Sequence, residues 1–399
     1  RRDHDPYGAL DLWERYRAAA RRSRQPGDAT RPSRARDAGI DFKALDAGPA
    51  LPRIDQVRSM LPSLGSVTVL SYAQLRDGLA VWAFDDRGIE AKWVPVPPET
   101  LERRALAFAQ QCSDPSSDLA HLRADATELY QWLIGPVEDR LTPGRTLVIE
   151  PDGAVSNIPL QALLDPSGRY LGARQALVVS PAAYDVRRPA APEFSSTLGA
   201  LVVGAPAVPG EMAEEFAPLP DAEQEARSVA ARFDHTTLLT GRQATLQAIQ
   251  PQFAKAAVFH FAGHALAGAS RSGLLLAPSI GDADESGEIL DPARLQPRDL
   301  RLCKLAVLST CSAASEETTF EAPENLAEEF LRAGVPHVVA SRWSVDSSVT
   351  EALMEAFYSD LLAGGSVPRA LQAAQAGILQ RPETRHPYFW AAFSAFGRS

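Results

Sequence analysis

The chain has 399 residues, 45% of them hydrophobic and 23% charged, a balance that fits a globular protein of two or three packed units. Its 40 basic and 50 acidic residues leave a net charge of −10, so no basic surplus exists to neutralise phosphates and no nucleic-acid partner is expected. No apolar run approaches the ~18 residues of a membrane span. Three cysteines, Cys112, Cys303 and Cys311, are too few for a disulfide framework and suit a reducing, cytoplasmic compartment. Arginine outnumbers lysine by 36 to 4, which suggests a GC-rich, bacterial coding sequence.

The chain opens at Arg1 without a signal-peptide pattern. Ala9 to Arg22 predicts a helix, with Leu10, Trp13 and Tyr16 on one stripe. The arginine-rich stretch from Ser23 to Asp37, with prolines at 26 and 32, predicts a solvated linker. Strands are expected at Ser66–Tyr72, Gly78–Phe84 and Ile89–Pro95, the last two joined by the turn Asp85-Asp86-Arg87-Gly88. A helical block from Glu99 to Arg140, broken near Ser113–Ser117, leads to short strands at Thr146–Glu150 and Ala176–Ser180. Pro181 to Thr197 is a surface connection and the expected domain boundary. The expected organisation is therefore a helix and linker over 1–60, one half over 61–190 and a second over 195–399.

In that second half strands alternate with helices. Strands are expected at Ala200–Val203, Thr236–Leu239, Ala257–Phe261, Leu305–Ser309 and His337–Ser341. Helices are expected at Ala222–Phe233, Thr245–Gln252, Pro323–Ala333, Ser348–Ala363 and Pro368–Leu379. This alternation predicts an α/β fold with a mostly parallel sheet covered on both faces. Functional residues of such sheets gather past the carboxyl ends of the strands. Two expected strands end in reactive side chains. Val258 to Ala265 (VFHFAGHA) places His264 in a small-residue turn just beyond one, and Leu305 to Ser312 (LAVLSTCS) places Cys311 at the end of another, 47 residues later. A thiol becomes a nucleophile as its thiolate, which an imidazole within reach produces. Backbone N–H groups at Ala265 and Cys311 would hold the oxyanion. His260, Cys112 and Cys303 are read as core residues. Neither a CxxC nor an HExxH pattern is present, so no metal or other cofactor is expected; GxxxxGK[ST] and GxSxG are absent too.

These residues belong to an ordered set of segments. The set comprises VIEPDGAVSNIPLQALLD (148–165), VFHFAGHA (258–265), LAVLSTCSAA (305–314), LAEEFLRAGVPHVVASRWSVDSS (326–348), AFYSDLLAGGSVPRALQAAQ (356–375) and HPYFWAAFSAFG (386–397). Together they resemble the CHAT domain, a caspase- and separase-like cysteine peptidase family often attached to tetratricopeptide repeats. The resemblance covers about residues 60–399. It implies a caspase-like sheet preceded by a degenerate pseudo-caspase half, with His264 as catalytic histidine and Cys311 as nucleophile. Caspases space this pair by about 50 residues. Two departures stand out: Ala265 replaces the glycine that follows the caspase histidine, and Ser309 occupies the position where metacaspases carry an acid. By the same resemblance His337–Trp343 is the edge on which a peptide would add as a strand, with Ser341, Arg342, Trp343 and Asp346 lining the subsites. Asp346 has an equally good reading as a helix N-cap.

The acidic segments 312–323 and 278–290 are expected as exposed loops, the first with an activation loop as its alternative reading, and the second lacks a calcium-ligand pattern. The expected function is a cysteine endopeptidase cutting a protein partner. The resemblance suggests bacterial defence or programmed cell death, such as activation of a gasdermin-like pore former. A repeat-type regulatory partner is a further implication, and no membrane binding is expected. The alternatives are a catalytically silent scaffold and a non-proteolytic thiol hydrolase or acyltransferase.

Overall fold

Short apolar strands alternating with helices bury both faces of a sheet, and the computed structural model of the chain is built this way. It describes residues 5–23, 58–59, 61–180, 194–208, 210–212, 214, 216–267, 272–279, 288–296, 298–312 and 322–397. The arginine-rich stretch after Ser23, most of the connection from Pro181, and the greater part of both acidic segments lie outside these residues. The chain divides into two compact units, the first ending at residue 190 and the second running from 191 to 397, with 112–116 counted in the second.

The first unit holds α1 (Pro6–Ser23), β1 (Val67–Leu75), β2 (Gly78–Asp85), β3 (Gly88–Val94), α2 (Pro98–Ser113), α3 (Leu119–Leu133), β4 (Thr146–Glu150) and β5 (Ala176–Val179). Its strand order is β5-β4-β1-β2-β3. The β5-β4-β1 part is parallel, and β1-β2-β3 is an antiparallel meander. Alternation along β1 assigns the layers. Val67, Val69 and Ala73 pack with Leu10 of α1, Leu61 and Leu64. On the opposite face the Tyr72 hydroxyl donates to the Leu133 carbonyl at 2.9 Å, and Gln74 donates to Glu102 of α2 at 2.9 Å. The break expected near Ser113–Ser117 is real. Asp118 caps α3 by accepting the Ala120 N–H at 2.7 Å.

The second unit holds β6 (Gly199–Pro206), α4 (Pro220–Ala230), β7 (His235–Gly241), β8 (Val258–Ala267), β9 (Ser272–Leu276), β10 (Glu288–Leu290), β11 (Leu305–Ser312), α5 (Ala322–Arg332), β12 (His337–Ser341), α6 (Ser347–Leu362), α7 (Val367–Leu379) and β13 (Phe393–Gly397). Strands β7, β6, β8, β11 and β12 are parallel neighbours in that order. Antiparallel β13 lies beside β12, and the β9-β10 pair adds to the far end of β8. Alternation along β8 again separates two faces. Phe259 packs with Phe253 and with Phe330 of α5, at centroid distances of 5.0 and 5.7 Å. His260 faces the other way, toward α4 and α6. This is an α/β fold with a large, mostly parallel sheet between helices, as the alternation predicts. No helix among the described residues is long and apolar enough to cross a membrane.

Candidate active site

The β8–β11 ladder runs without a slip from Val258↔Leu305 through His264↔Cys311 to Ala265↔Ser312. Partners in a parallel ladder share a face of the sheet, so the histidine and the cysteine are lateral neighbours on adjacent strands. The sequence expectation put His264 in a turn beyond its strand. The structure instead keeps it inside β8, because residues 262–265 pair with β11 and 265–267 pair with β9. Gly263 makes this continuation possible: a Cβ there would meet the Phe261 ring at 2.9 Å and Pro206 at 3.0 Å. Ala265 keeps an ordinary strand backbone, since Ala205 is the only non-glycine among the described residues with positive φ. The alanine that replaces the caspase glycine therefore costs no strain.

His264 is 8% exposed. Its Nε2 donates to the Ala217 carbonyl at 2.8 Å, and Phe216 packs edge-on against the ring at 5.0 Å. A carbonyl can only accept, so the neutral ring carries its proton on Nε2 and has its lone pair on Nδ1. Nδ1 is buried and has no hydrogen-bond partner among the described residues. The sequence carries no sign of Ala217, because a backbone carbonyl needs no particular side chain. The other two cysteines contrast with this environment. Burial pushes the Cys303 thiol up to about 12 and raises that of Cys112, so both are inert at neutral pH.

Beneath the pair lies a buried polar cluster that sequence reasoning missed. Glu225 of α4 accepts the Ser309 hydroxyl at 3.1 Å, and its other oxygen lies 3.2 Å from His260 Nε2. This second contact is close but misaligned, so neither atom counts as hydrogen-bonded. His260 Nδ1 pairs with the Tyr358 hydroxyl of α6 at 3.1 Å. A signal for Glu225 did exist: it shares the buried stripe of α4 with Ala226 and Val229.

The expected substrate edge is not free. Strand β12 lies between β11 and β13, with Ser341 opposite Phe393, and the Arg342 N–H donates to the Ala392 carbonyl at 2.8 Å. Ser341 is 2% exposed; its hydroxyl accepts the Thr310 N–H at 3.0 Å and donates to the Thr310 carbonyl at 2.9 Å. The ladder of β11 and β12 ends at Leu308↔Ala340, and this side chain extends it. Arg342 is buried with Nε 3.3 Å from the Ser394 hydroxyl. Trp343 donates its indole N–H to the Tyr388 carbonyl at 3.0 Å. Asp346 caps α6, accepting from Ser348 N at 3.0 Å and Val349 N at 3.4 Å. Of the four, Asp346 alone is exposed.

Residues 123–398 match the CHAT domain. The chain is 28% identical over 320 residues to tetratricopeptide repeat protein 28 of Mus musculus, covering 67% of this chain and 13% of that protein. The Homo sapiens protein of the same name is 28% identical over 349 residues, covering 75% and 13%. The chain thus spans about 13% of the length of these curated relatives. Among solved structures, the Saccharomyces cerevisiae separase–securin complex matches with a TM-score of 0.52 at 9% identity, over 90% of this chain and 32% of that one. At that identity the likeness concerns the fold alone.

Proposed function

The chain belongs to the CHAT domain family, and we propose that it acts as a cysteine endopeptidase with Cys311 as nucleophile and His264 as proton carrier. The observation that carries this reading is the ladder pair His264↔Cys311, with the Nδ1 lone pair of His264 unpartnered among the described residues. Nδ1 takes the thiol proton, and the Cys311 thiolate attacks the scissile carbonyl carbon. The resulting oxyanion is held by backbone N–H groups at Cys311 and Ala265. As the C–N bond breaks, the protonated Nδ1 returns its proton to the leaving amine and a thioester remains. Water attacks the thioester, Nδ1 accepts its proton, and the C–S bond breaks to release the acid and regenerate the thiolate. The bond from Nε2 to Ala217 fixes which nitrogen does this work and strengthens as the ring becomes charged.

The substrate is a protein segment lying over the carboxyl ends of β8, β11 and β12. A role in bacterial defence or cell death, including activation of a pore-forming partner, rests on family resemblance. The first half serves as a degenerate, non-catalytic counterpart. A second reading, a scaffold with an unused dyad, draws on relatives named for their tetratricopeptide repeats. A panel of peptide chloromethylketones separates the two. Labelling of Cys311 that depends on the peptide side chains supports the peptidase. Labelling by small alkylators alone contradicts it and favours the scaffold or a non-proteolytic thiol enzyme.

A further inference from the structure

Glu225 is a buried carboxylate, 5% exposed, for which the reaction above has no use. A buried charge is poor value for stability, since apolar side chains of similar volume often stabilise as well or better. What a carboxylate does provide is directional acceptors. Here one oxygen binds Ser309 of β11 at 3.1 Å, and the other approaches His260 of β8 at 3.2 Å. Those are the two strands that carry the dyad. Ser309 lies two residues before Cys311 and His260 four before His264, and all four positions share one face of the sheet. His260 is tied in turn to Tyr358, which is wholly buried on α6.

The need for such a contact follows from where the dyad sits. Among the described residues His264↔Cys311 is the penultimate rung of the β8–β11 ladder, and hydrogen bonds at the ends of ladders open most easily. On its other side β11 has lost its backbone partner beyond Leu308 and is held at Thr310 by the Ser341 hydroxyl. Ser309, one residue away, is held by Glu225. Side chains therefore secure the last residues before the cysteine where the ladder with β12 gives out.

We propose that Glu225 is a positioning residue for the dyad. Through its hydrogen bond to Ser309 it holds the end of β11 against β8, keeping Cys311 within reach of His264. The inference rests on the dyad reading but does not need a known peptide substrate.

The test uses the full chain with Glu225→Leu, Glu225→Gln, Ser309→Ala and the double variant Glu225→Leu/Ser309→Ala. The rate of Cys311 alkylation by iodoacetamide is followed by mass spectrometry, with thermal unfolding measured alongside. Leucine removes the acceptor while keeping the apolar volume, whereas glutamine keeps an acceptor for Ser309. The expected result is a loss of Cys311 reactivity of about tenfold at pH 7 in Glu225→Leu and in Ser309→Ala, with both variants folded at the assay temperature. The double variant should be no slower than the slower single one, because the two groups act as a unit. Glutamine should restore most of the rate. Where a cleaved peptide is in hand, kcat should fall with KM held. Parental reactivity in Glu225→Leu overturns the proposal, as does a loss that Ser309→Ala does not share or that glutamine fails to restore. If the parent cuts no peptide, the endopeptidase reading fails while the alkylation series still decides the role of Glu225.

Discussion

Where the parallel ladder of β1 and β4 ends, the first unit gathers Ser71, Glu150 and Asp152, and each has a hydrogen-bond partner. Glu150 is wholly buried, accepts the Ser71 hydroxyl at 2.7 Å and has Arg17 of α1 at 3.3 Å. Asp152 accepts the Gln74 N–H at 2.8 Å, although burial still holds its carboxyl above the usual range. Where β8 and β11 pair, the second unit leaves a buried imidazole nitrogen without a hydrogen-bond partner among the described residues, beside the cysteine's strand. Both units end parallel strands in polar residues. In the first these groups are paired within the unit; in the second, on the proposed reading, the His264 lone pair serves the thiol. On the proposed reading, that open nitrogen is what His264 contributes to the reaction.

The largest expected effect follows from removing that nitrogen. His264→Ala should lower cleavage of any substrate at least about 10³-fold, with unfolding midpoints close to those of the parent. Cleavage that survives the change would end the contrast between the units. Next comes the first unit's own pairing. Arg17→Ala leaves Glu150 buried without its cation and should cost about 3 kcal/mol in urea unfolding, while Cys311 alkylation stays at the parental rate. A parallel loss of alkylation would show that the two ends are not chemically separate.

The second unit also carries an acid sensitivity away from its dyad. Burial lowers His337 from 6.5 to about 4. The unfolded chain therefore binds a proton that the folded one refuses, and stability falls as pH drops from about 6.5 toward 4. The loss is on the order of 3 kcal/mol at the acid end. His337→Asn should flatten that dependence in unfolding measured across pH 4–7; an unchanged slope would remove His337 as its source. The smallest effect concerns Asp346. Its replacement by alanine should cost about 1 kcal/mol through loss of the α6 cap and leave the preferred cleavage residue unaltered. A changed preference would return Asp346 to the substrate side.

The order of elements was readable because its signals are local. Short β-rich runs such as LAVL and VVA, the two-residue turn after Asp85 and the break before Asp118 each sit within a few residues of the element they define. The pairing of His264 with Cys311 was suggested by two expected strands that close in reactive residues; the ladder sets the two opposite each other, with His264 within its strand rather than past it. Nothing in the small residues around 263 announces that β9 will extend that strand by pairing. The closed edge at β12 was missed for a similar reason. Strand β13, FSAFG, is short, aromatic and glycine-terminated, so its pairing with β12 is decided by tertiary contact. Glu225 was missed because its partner Ser309 is 84 positions away, and the surrounding AEQEAR reads as an exposed face. The Ala217 carbonyl has no side-chain signature at all.

The most direct test of the central claim compares the parent with Cys311→Ala on a diverse peptide library, with cleavage read by mass spectrometry. The account predicts cuts in the parent that share a residue preference and disappear in the variant. Cuts that persist in Cys311→Ala, or a parent that cuts nothing while its Cys311 remains reactive toward small alkylators, would contradict it.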